Sequence, residues 1–326
     1  MSRCETPNFK ARYLYGNVKR GLINLHINIR SLYNKIGEIK RLINQEKPHL
    51  IGISECELSR KVHDLNTLKI QGYHLLLPKS WEVYDKARVV VYVKKSLEFE
   101  HLEDLEDKDL QTIWIKASFK NARKVFYCHQ YREHGSTLGN SLAAQRLALS
   151  EMIKQWEAAL KYGNPVETNE VHLVGDMNVD SYMERWLDPT YSLVTLGRMI
   201  FDFCNANNFQ QVVNQITRIQ FNSVEQQFSS SCIDHVYCNA RYRITPVRVI
   251  SFGSSDHDAL LYCRLSKEPK QHSRTIRKRS YKHFDESAFI EDVSKMDFTD
   301  VYSCLDVDIA ASILTFKLIE VLNKLG

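Results

Sequence analysis

The sequence predicts an α/β protein in which helices cover two β-sheets. Three observations carry this expectation: short runs rich in Val, Ile and aromatic residues recur along the chain, segments with apolar residues every three to four positions separate several of them, and Pro, Gly or polar clusters mark the breaks. With 326 residues and 44% hydrophobic content, the chain can bury one large core or two small ones.

The elements follow in order. "RGLINLHINIRS" reads as a strand ending in a polar turn. "LYNKIGEIKRLINQEK" places Ile36, Ile39, Leu42 and Ile43 on one face of a helix that Pro48 stops. "HLIGISE" is a short apolar run entered from Pro and left at an acid, the form of a buried strand. "RVVVYVKK", "TIWIKASF" and "KVFYCHQY" read as three strands of an antiparallel meander, and the acidic "LEFEHLEDLEDKDL" before the second reads as a solvated loop. "LAAQRLALSEMIKQWEAALKY" restores a helix through Leu142, Leu149, Ile153, Trp156 and Leu160. After the strand "EVHLVGDMN" comes a helix around "LVTLGRMIFDFCNANN", then strand-like "FQQVVN", "SCIDHVYCN" and "ITPVRVISFGSSDHDALLYCRL". Trp114 and Trp156 are read as core, and His26 and His129, alternating within strands, as packing or hydrogen-bonded residues.

Past Arg264 the pattern changes. "SKEPKQHSRTIRKRSYK" has no apolar periodicity, and Arg264 to Lys282 holds eight Lys/Arg against one acid; Phe284 to Gly326 holds nine acids against three bases. "DESAFIEDVSKM" and "DVDIAASILTFKLIEVLNKL" read as two amphipathic helices, the second with Ile309, Ile313 and Phe316 on one side. The expected organisation is an N-terminal extension (1–20), a main domain (21–265), a basic linker (266–283) and a helical segment (284–326). The basic run is open to three readings: a path for DNA phosphates, a nuclear-import signal or a solvated linker.

Lys plus Arg exceed Asp plus Glu by 44 to 39, which permits an anionic partner without demanding one. The eight cysteines show no C-x-x-C spacing, against a zinc or redox motif and for a reduced, intracellular protein, nuclear or cytoplasmic. The first twenty residues lack the apolar core of a signal peptide, and no continuous apolar stretch has membrane-spanning length. Neither secretion nor a membrane partner is expected.

Polar residues recur at the ends of the buried strands. Asn28 follows "INLHI", Glu55 "HLIGIS", Asp176 and Asn178 "VHLVG", Asp234 and His235 "SC", Asp256 and His257 "ISFGSS". Each alone is more simply a turn former or cap. As a set they supply the carboxylates, amides and imidazoles that a hard divalent cation and a phosphate ester require, on rigid strands converging at one edge.

With "HINIRSLYNKI", "IGISECEL", "CHQYREHGS", "LVGDMNVD", "SSSCIDHVYC" and "SSDHDALL" in this order, residues 20–265 resemble the endonuclease/exonuclease/phosphatase superfamily. Within it they resemble the apurinic-endonuclease-like domain of non-LTR (LINE-type) retrotransposons. The resemblance implies a deoxyribonuclease-I-like, four-layered α/β sandwich of two packed mixed or antiparallel sheets flanked by helices. It implies Mg²⁺, with Mn²⁺ able to substitute, on Glu55 with Asn28 and Asp256. Catalytic roles would fall to Asp176 (activating water), Asn178, Tyr131 (on the scissile phosphate), and His257 oriented by Asp234. Ser231 would join the phosphate network and Thr217 would contact DNA; Asp258 receives no role. Repair members carry an acid two residues after the first Asn, where this chain has Arg30, which argues against abasic-site repair.

The implied activity is nicking of double-stranded DNA to leave a 3′-hydroxyl that primes reverse transcription, by a monomer. The tail resembles the connector to a reverse transcriptase domain. Two alternatives stand: a phosphomonoesterase or sphingomyelinase-like member of the superfamily, and a catalytically inactive DNA-binding relic.

Overall fold

A computed structural model describes residues 21–118, 124–133, 141–163, 168–181, 194–223, 226–266 and 284–325. The N-terminal extension, nearly all of the basic linker and His134 of "YREH" lie outside the described residues. The chain divides into two compact units, up to Pro269 and from Lys270.

In the first unit, strand β1 (Gly21–Asn28) is followed by helix α1 (Leu32–Glu46), which ends with Lys47 in the left-handed region before Pro48. Next come β2 (Leu50–Ser59), β3 (Tyr73–Leu76), the short α2 (Ser80–Tyr84), β4 (Lys86–Lys94), β5 (Phe99–His101), β6 (Gln111–Ala117) and β7 (Val125–Tyr131). Helix α3 (Leu142–Lys161), capped by the Ser141 hydroxyl accepting from Ala144 N, leads to β8 (Glu170–Asp176) and helix α4 (Val194–Ala206). Strands β9 (Gln210–Gln211), β10 (Arg218–Asn222), β11 (Gln227–Ser231), β12 (Asp234–Cys238), β13 (Arg248–Ile250) and β14 (Ala259–Leu265) complete it.

The strands form two six-stranded sheets, ordered β13-β14-β1-β2-β4-β3 and β5-β6-β7-β8-β12-β9, and a separate hairpin, β10-β11. Helix α1 buries Leu32, Ile39, Leu42 and Ile43 on the outer face of the first sheet, with Ile36 at the margin. Helices α3 and α4 cover the second with Leu149, Trp156, Leu196, Ile200 and Phe203; Leu142, counted with the buried stripe from sequence, is exposed. Trp114 and Trp156 are fully buried, each indole N–H donating to a glutamine, Gln155 and Gln130. Between the sheets, Val89, Val91 and Val93 pack with Ile113 and Ile115. The layers are therefore helix, sheet, sheet, helix. Gly52 lets the sheets approach, because a Cβ there would lie 1.9 Å from His129 Nδ1.

Two expectations need correction. The meander is not one: β4 pairs with β2 and β3, while β6 and β7 belong to the second sheet. Alternation shows which face of a strand is apolar, not whether its neighbour is hydrogen-bonded or packed opposite. The acidic segment is not a solvated loop either. It contains β5, buries Leu102 and Leu110, and buries Glu106, which accepts from Lys79 N and Trp114 N (3.0 Å each) and pairs with His101 at 2.7 Å.

One feature of the topology creates the site. Each sheet has one parallel pair bridged by a helix, β1–β2 through α1 and β7–β8 through α3. Parallel neighbours end at the same edge. Strands β14 and β12 run antiparallel to β1 and β8, so their first residues begin at that edge. Six segments distant in sequence thus deliver their polar ends together.

The second unit consists of helices α5 (Glu286–Ser294), α6 (Thr299–Ser303) and α7 (Val307–Leu325), with Asp285 capping α5 through Ala288 N. The two helices read from sequence are present and α6 was not foreseen. No helix among the described residues is long and apolar enough to cross a membrane. Cys56, Cys128, Cys204, Cys232, Cys238 and Cys263 are free and buried, as small hydrophobes are.

Candidate active site

Asn28, the last residue of β1, is fully buried and donates to both neighbouring acids, to Glu55 Oε1 at 2.8 Å and across the sheets to Asp176 Oδ2 at 2.7 Å. Glu55 sits where the β2–β4 register breaks between Ser54 and Leu58, and it and Glu57 take φ of 47° and 51°. This bulge turns the Glu55 carboxylate out of the pleat, and non-glycine residues hold positive φ only where surroundings enforce it. Tyr131, ending β7, donates to Glu55 Oε1 at 3.3 Å, with the Arg88 guanidinium over its ring. Asp176 accepts from Asn178 N at 2.8 Å; Asn178, at φ 49°, donates its side-chain amide to the Arg132 carbonyl. The buried Arg132 returns bonds to the carbonyls of Met177 and Asn178, locking this turn.

On the other side, Asp234 opens β12. Its Oδ2 meets His257 Nδ1 at 2.8 Å, and its Oδ1 faces His26 Nε2 at 3.6 Å. Thr217 Oγ1 accepts from the backbone N–H of Ile233 and Asp234 (3.2 and 3.1 Å). The loop carrying His257 is tied down by Ser255, which donates to the Asn28 carbonyl at 2.8 Å. Asp256 accepts from Arg218 Nε at 2.8 Å and faces Arg30 Nη1 at 3.7 Å.

Burial sets the proton affinities first and neighbours then divide them. Burial, reinforced by the Asp234 charge, raises Asp176 to about 7. Burial alone would lower His257, but Asp234 outweighs it and lifts the imidazole to about 9. Asp234 is held below the usual carboxylate range because His257 overcomes its desolvation. Near neutral pH the dyad is therefore an ion pair, and Asp176 is poised to exchange a proton.

Ligand atoms of Glu55, Asp176 and His257 lie within 4.8 Å of one another. His257, protonated and bonded through Nδ1 to Asp234, has no lone pair to give. Asn28 Oδ1 is buried without a hydrogen-bond partner. Glu55 and Asp176 thus leave two carboxylates close together, the ligand type a hard divalent cation takes, with the unpartnered Asn28 oxygen a third candidate.

A model of the endonuclease/exonuclease/phosphatase family matches residues 25–257, a span that includes Asn28 and His257 and all the strand ends between them. The chain belongs to this family. Among solved structures, the endonuclease domain of TRAS1, described as a telomere-specific non-LTR retrotransposon, is similar at 14% identity, covering 76% of this chain and 100% of that one, TM-score 0.56. An AP endonuclease from Leishmania major matches at 12% identity (76% and 89% covered, TM-score 0.59), and a 3′ phosphatase from Neisseria bound to a product DNA hairpin at 13% (76% and 100%, TM-score 0.54). At these identities the likeness is one of fold: two mixed sheets flanked by helices, deoxyribonuclease-I-like. No curated protein sequence matches the chain.

In this endonuclease/exonuclease/phosphatase domain, Asn28, Glu55, Tyr131, Asp176, Asn178, Asp234, Asp256 and His257 all reach one edge. One expected contact falls elsewhere. Thr217 is fully buried and spends its hydroxyl on two backbone N–H groups, so it positions Asp234 and cannot touch DNA. Asp256 is engaged by arginine, its carboxylate held down by the Arg218 bond and nearby His257 against partial burial. Ser231, half-buried at the end of β11, pairs with Arg218 and its carbonyl accepts from Thr217 N. Asp258 accepts from Phe252 N, a turn contact. Arg30, Arg88, Arg132 and Arg218 were not singled out as site residues from sequence; only Arg30 gave a signal, as the cation standing where an acid was expected.

Proposed function

We propose that the chain is a divalent-metal-dependent endonuclease that nicks double-stranded DNA and leaves a 3′-hydroxyl suited to priming reverse transcription, as in a non-LTR retrotransposon. The coarser statement, a phosphoester hydrolase of the endonuclease/exonuclease/phosphatase family, follows from the family match. The observation carrying the proposal is the convergence from both sheets of two bonded groups, Asn28 with Glu55 and Asp176, and Asp234 with His257, with ligand atoms of Glu55, Asp176 and His257 within 4.8 Å of one another. Mg²⁺ held by Glu55, beside Asn28 and Asp176, would supply charge relief at the phosphate and the leaving oxygen.

The chain's own residues do the rest. Asp176, raised by burial to about 7, orients the attacking water and accepts its proton. Asn28 fixes both carboxylates, so little reorganisation accompanies the reaction. His257, kept cationic by Asp234, donates toward a phosphoryl oxygen. Tyr131, its hydroxyl raised by burial and by Glu55, stays a neutral donor facing the same place.

DNA rather than a small phosphate ester is supported by the β10-β11 hairpin. It is tied to the catalytic loop through Ile219 N to the Asp256 carbonyl and Asp258 N to the Thr217 carbonyl, and it exposes the paired rings of Phe221 and Phe228, centroids 4.9 Å apart. Exposed aromatic rings on a hairpin tied to the catalytic loop suit a substrate that bears bases. On this reading the second unit is the connector to a reverse transcriptase.

The test is conversion of supercoiled plasmid to nicked circles with Mg²⁺ or Mn²⁺, followed by polymerase extension from the nicks. Asp176→Ala is expected to remove nicking at least about 10³-fold while DNA binding persists. Wild-type protein that releases phosphate from inositol phosphates but leaves plasmid intact overturns the proposal in favour of a phosphatase; protein that binds DNA and cleaves neither is a relic.

A further inference from the structure

Arg30 occupies a constrained place. Beyond the end of β1 the backbone stays alongside β2, with Ile29 N bonded to the Ser54 carbonyl at 3.1 Å and Ser31 N to the Glu55 carbonyl at 2.8 Å. Arg30 and Ser31 both take positive φ, 47° and 73°, a region L residues seldom enter. This places the Arg30 guanidinium between two carboxylates from different strands, its Nε 3.7 Å from Glu55 Oε2 and its Nη1 3.7 Å from Asp256 Oδ1. The Asp256 Oδ1 is buried and has no hydrogen-bond partner, while Oδ2 is taken by Arg218. Glu55 presents its other oxygen, Oε1, to Asn28 and Tyr131.

Two faces of Glu55 are thus distinguished. The Oε1 face accepts from the Asn28 amide, which also bonds Asp176. The Oε2 face, with Asp256 Oδ1, makes a second two-carboxylate notch, and a guanidinium stands in it. A divalent ion bridging two carboxylates needs oxygens at about 2.0–2.6 Å, and a permanently charged guanidinium excludes it by volume and by repulsion. We infer that Arg30 is a built-in counter-cation that closes the Glu55–Asp256 notch to metal, so that the site takes a single divalent ion. The inference rests on the metal-dependent reading of the site and specifies its stoichiometry.

The test is Mn²⁺ binding to the full chain without DNA, by electron paramagnetic resonance and calorimetry. Arg30 is about half exposed (54%), so its replacement should leave the fold intact, checked by thermal unfolding. Wild type and Arg30→Lys are expected to bind one ion, Arg30→Ala two, and Arg30→Ala with Asp256→Ala one again. Two ions on wild type, or one on Arg30→Ala with unchanged affinity, overturns the inference and leaves the metal reading standing. No ion on any protein overturns the metal reading itself, and the inference with it.

Discussion

Asp234→Asn isolates the dyad's charge while keeping its shape. Asp234 is fully buried, fixed through Thr217 to its backbone N–H, and bonded to His257 Nδ1 at 2.8 Å. Burial alone would take His257 below its ordinary 6.5, and Asp234 is the main reason it stands at about 9. Losing that charge should return His257 to about 6.5 or lower, a loss of at least about 3 kcal/mol in the stabilisation of the cation. At pH 7.5 the protonated fraction should fall from nearly all to about a tenth or less, and kcat/KM for nicking at least about tenfold, more if geometry also loosens. The stability consequence has a defined window. A raised histidine pKa contributes stability that is complete below 6.5 and lost as pH rises through about 9. A depressed aspartate contributes stability present above 3.8 and lost as pH falls. Wild type and variant should therefore differ most between about pH 4 and 7 and converge above about pH 9. The assays are an NMR titration of the His257 Cε1 proton, urea unfolding across this range, and plasmid nicking. A His257 pKa in the variant within about half a unit of the wild-type value would refute the argument.

Two further outcomes are expected. Thr217→Val leaves the buried N–H groups of Ile233 and Asp234 without their acceptor and should cost about 2–4 kcal/mol in urea unfolding with DNA affinity unchanged; an affinity loss above about tenfold at normal stability would make Thr217 a DNA contact after all. At the far end of β8, Glu170 accepts from Arg264 at 2.9 and 2.8 Å and from Arg243 at 3.2 Å, and Arg264 and His172 overcome burial to hold it at about 2. Glu170→Gln should cost about 3–5 kcal/mol at pH 7, and because the carboxylate is depressed the difference should shrink as pH falls from 4.5 toward about 2; a loss below about 1 kcal/mol at pH 7 would count against a stabilising ion cluster.

Local pattern alone determined much of this protein. The apolar spacings of α1, α3 and α4, the buried runs of β1, β2, β7 and β8, the two indoles in the core, and polar residues at strand ends were all readable, because helical and strand periodicities record which side of an element faces apolar surroundings. The tertiary structure decided what those ends do. That β4 belongs beside β2 rather than β6 is a choice of hydrogen-bond partner between segments of similar alternation, and no local period encodes it. Glu106 lies buried inside an acidic run because Lys79 N and Trp114 N converge on it from two other segments and His101 from earlier in the run. His26, read from alternation as a packed or hydrogen-bonded residue, faces Asp234 because one residue of each sheet must meet across the interface. Thr217 became a support for Asp234, and Asp256 an arginine-held carboxylate, for the same reason. A strand end shows where a polar side chain is available; only its distant neighbours set its charge, its partners and its work.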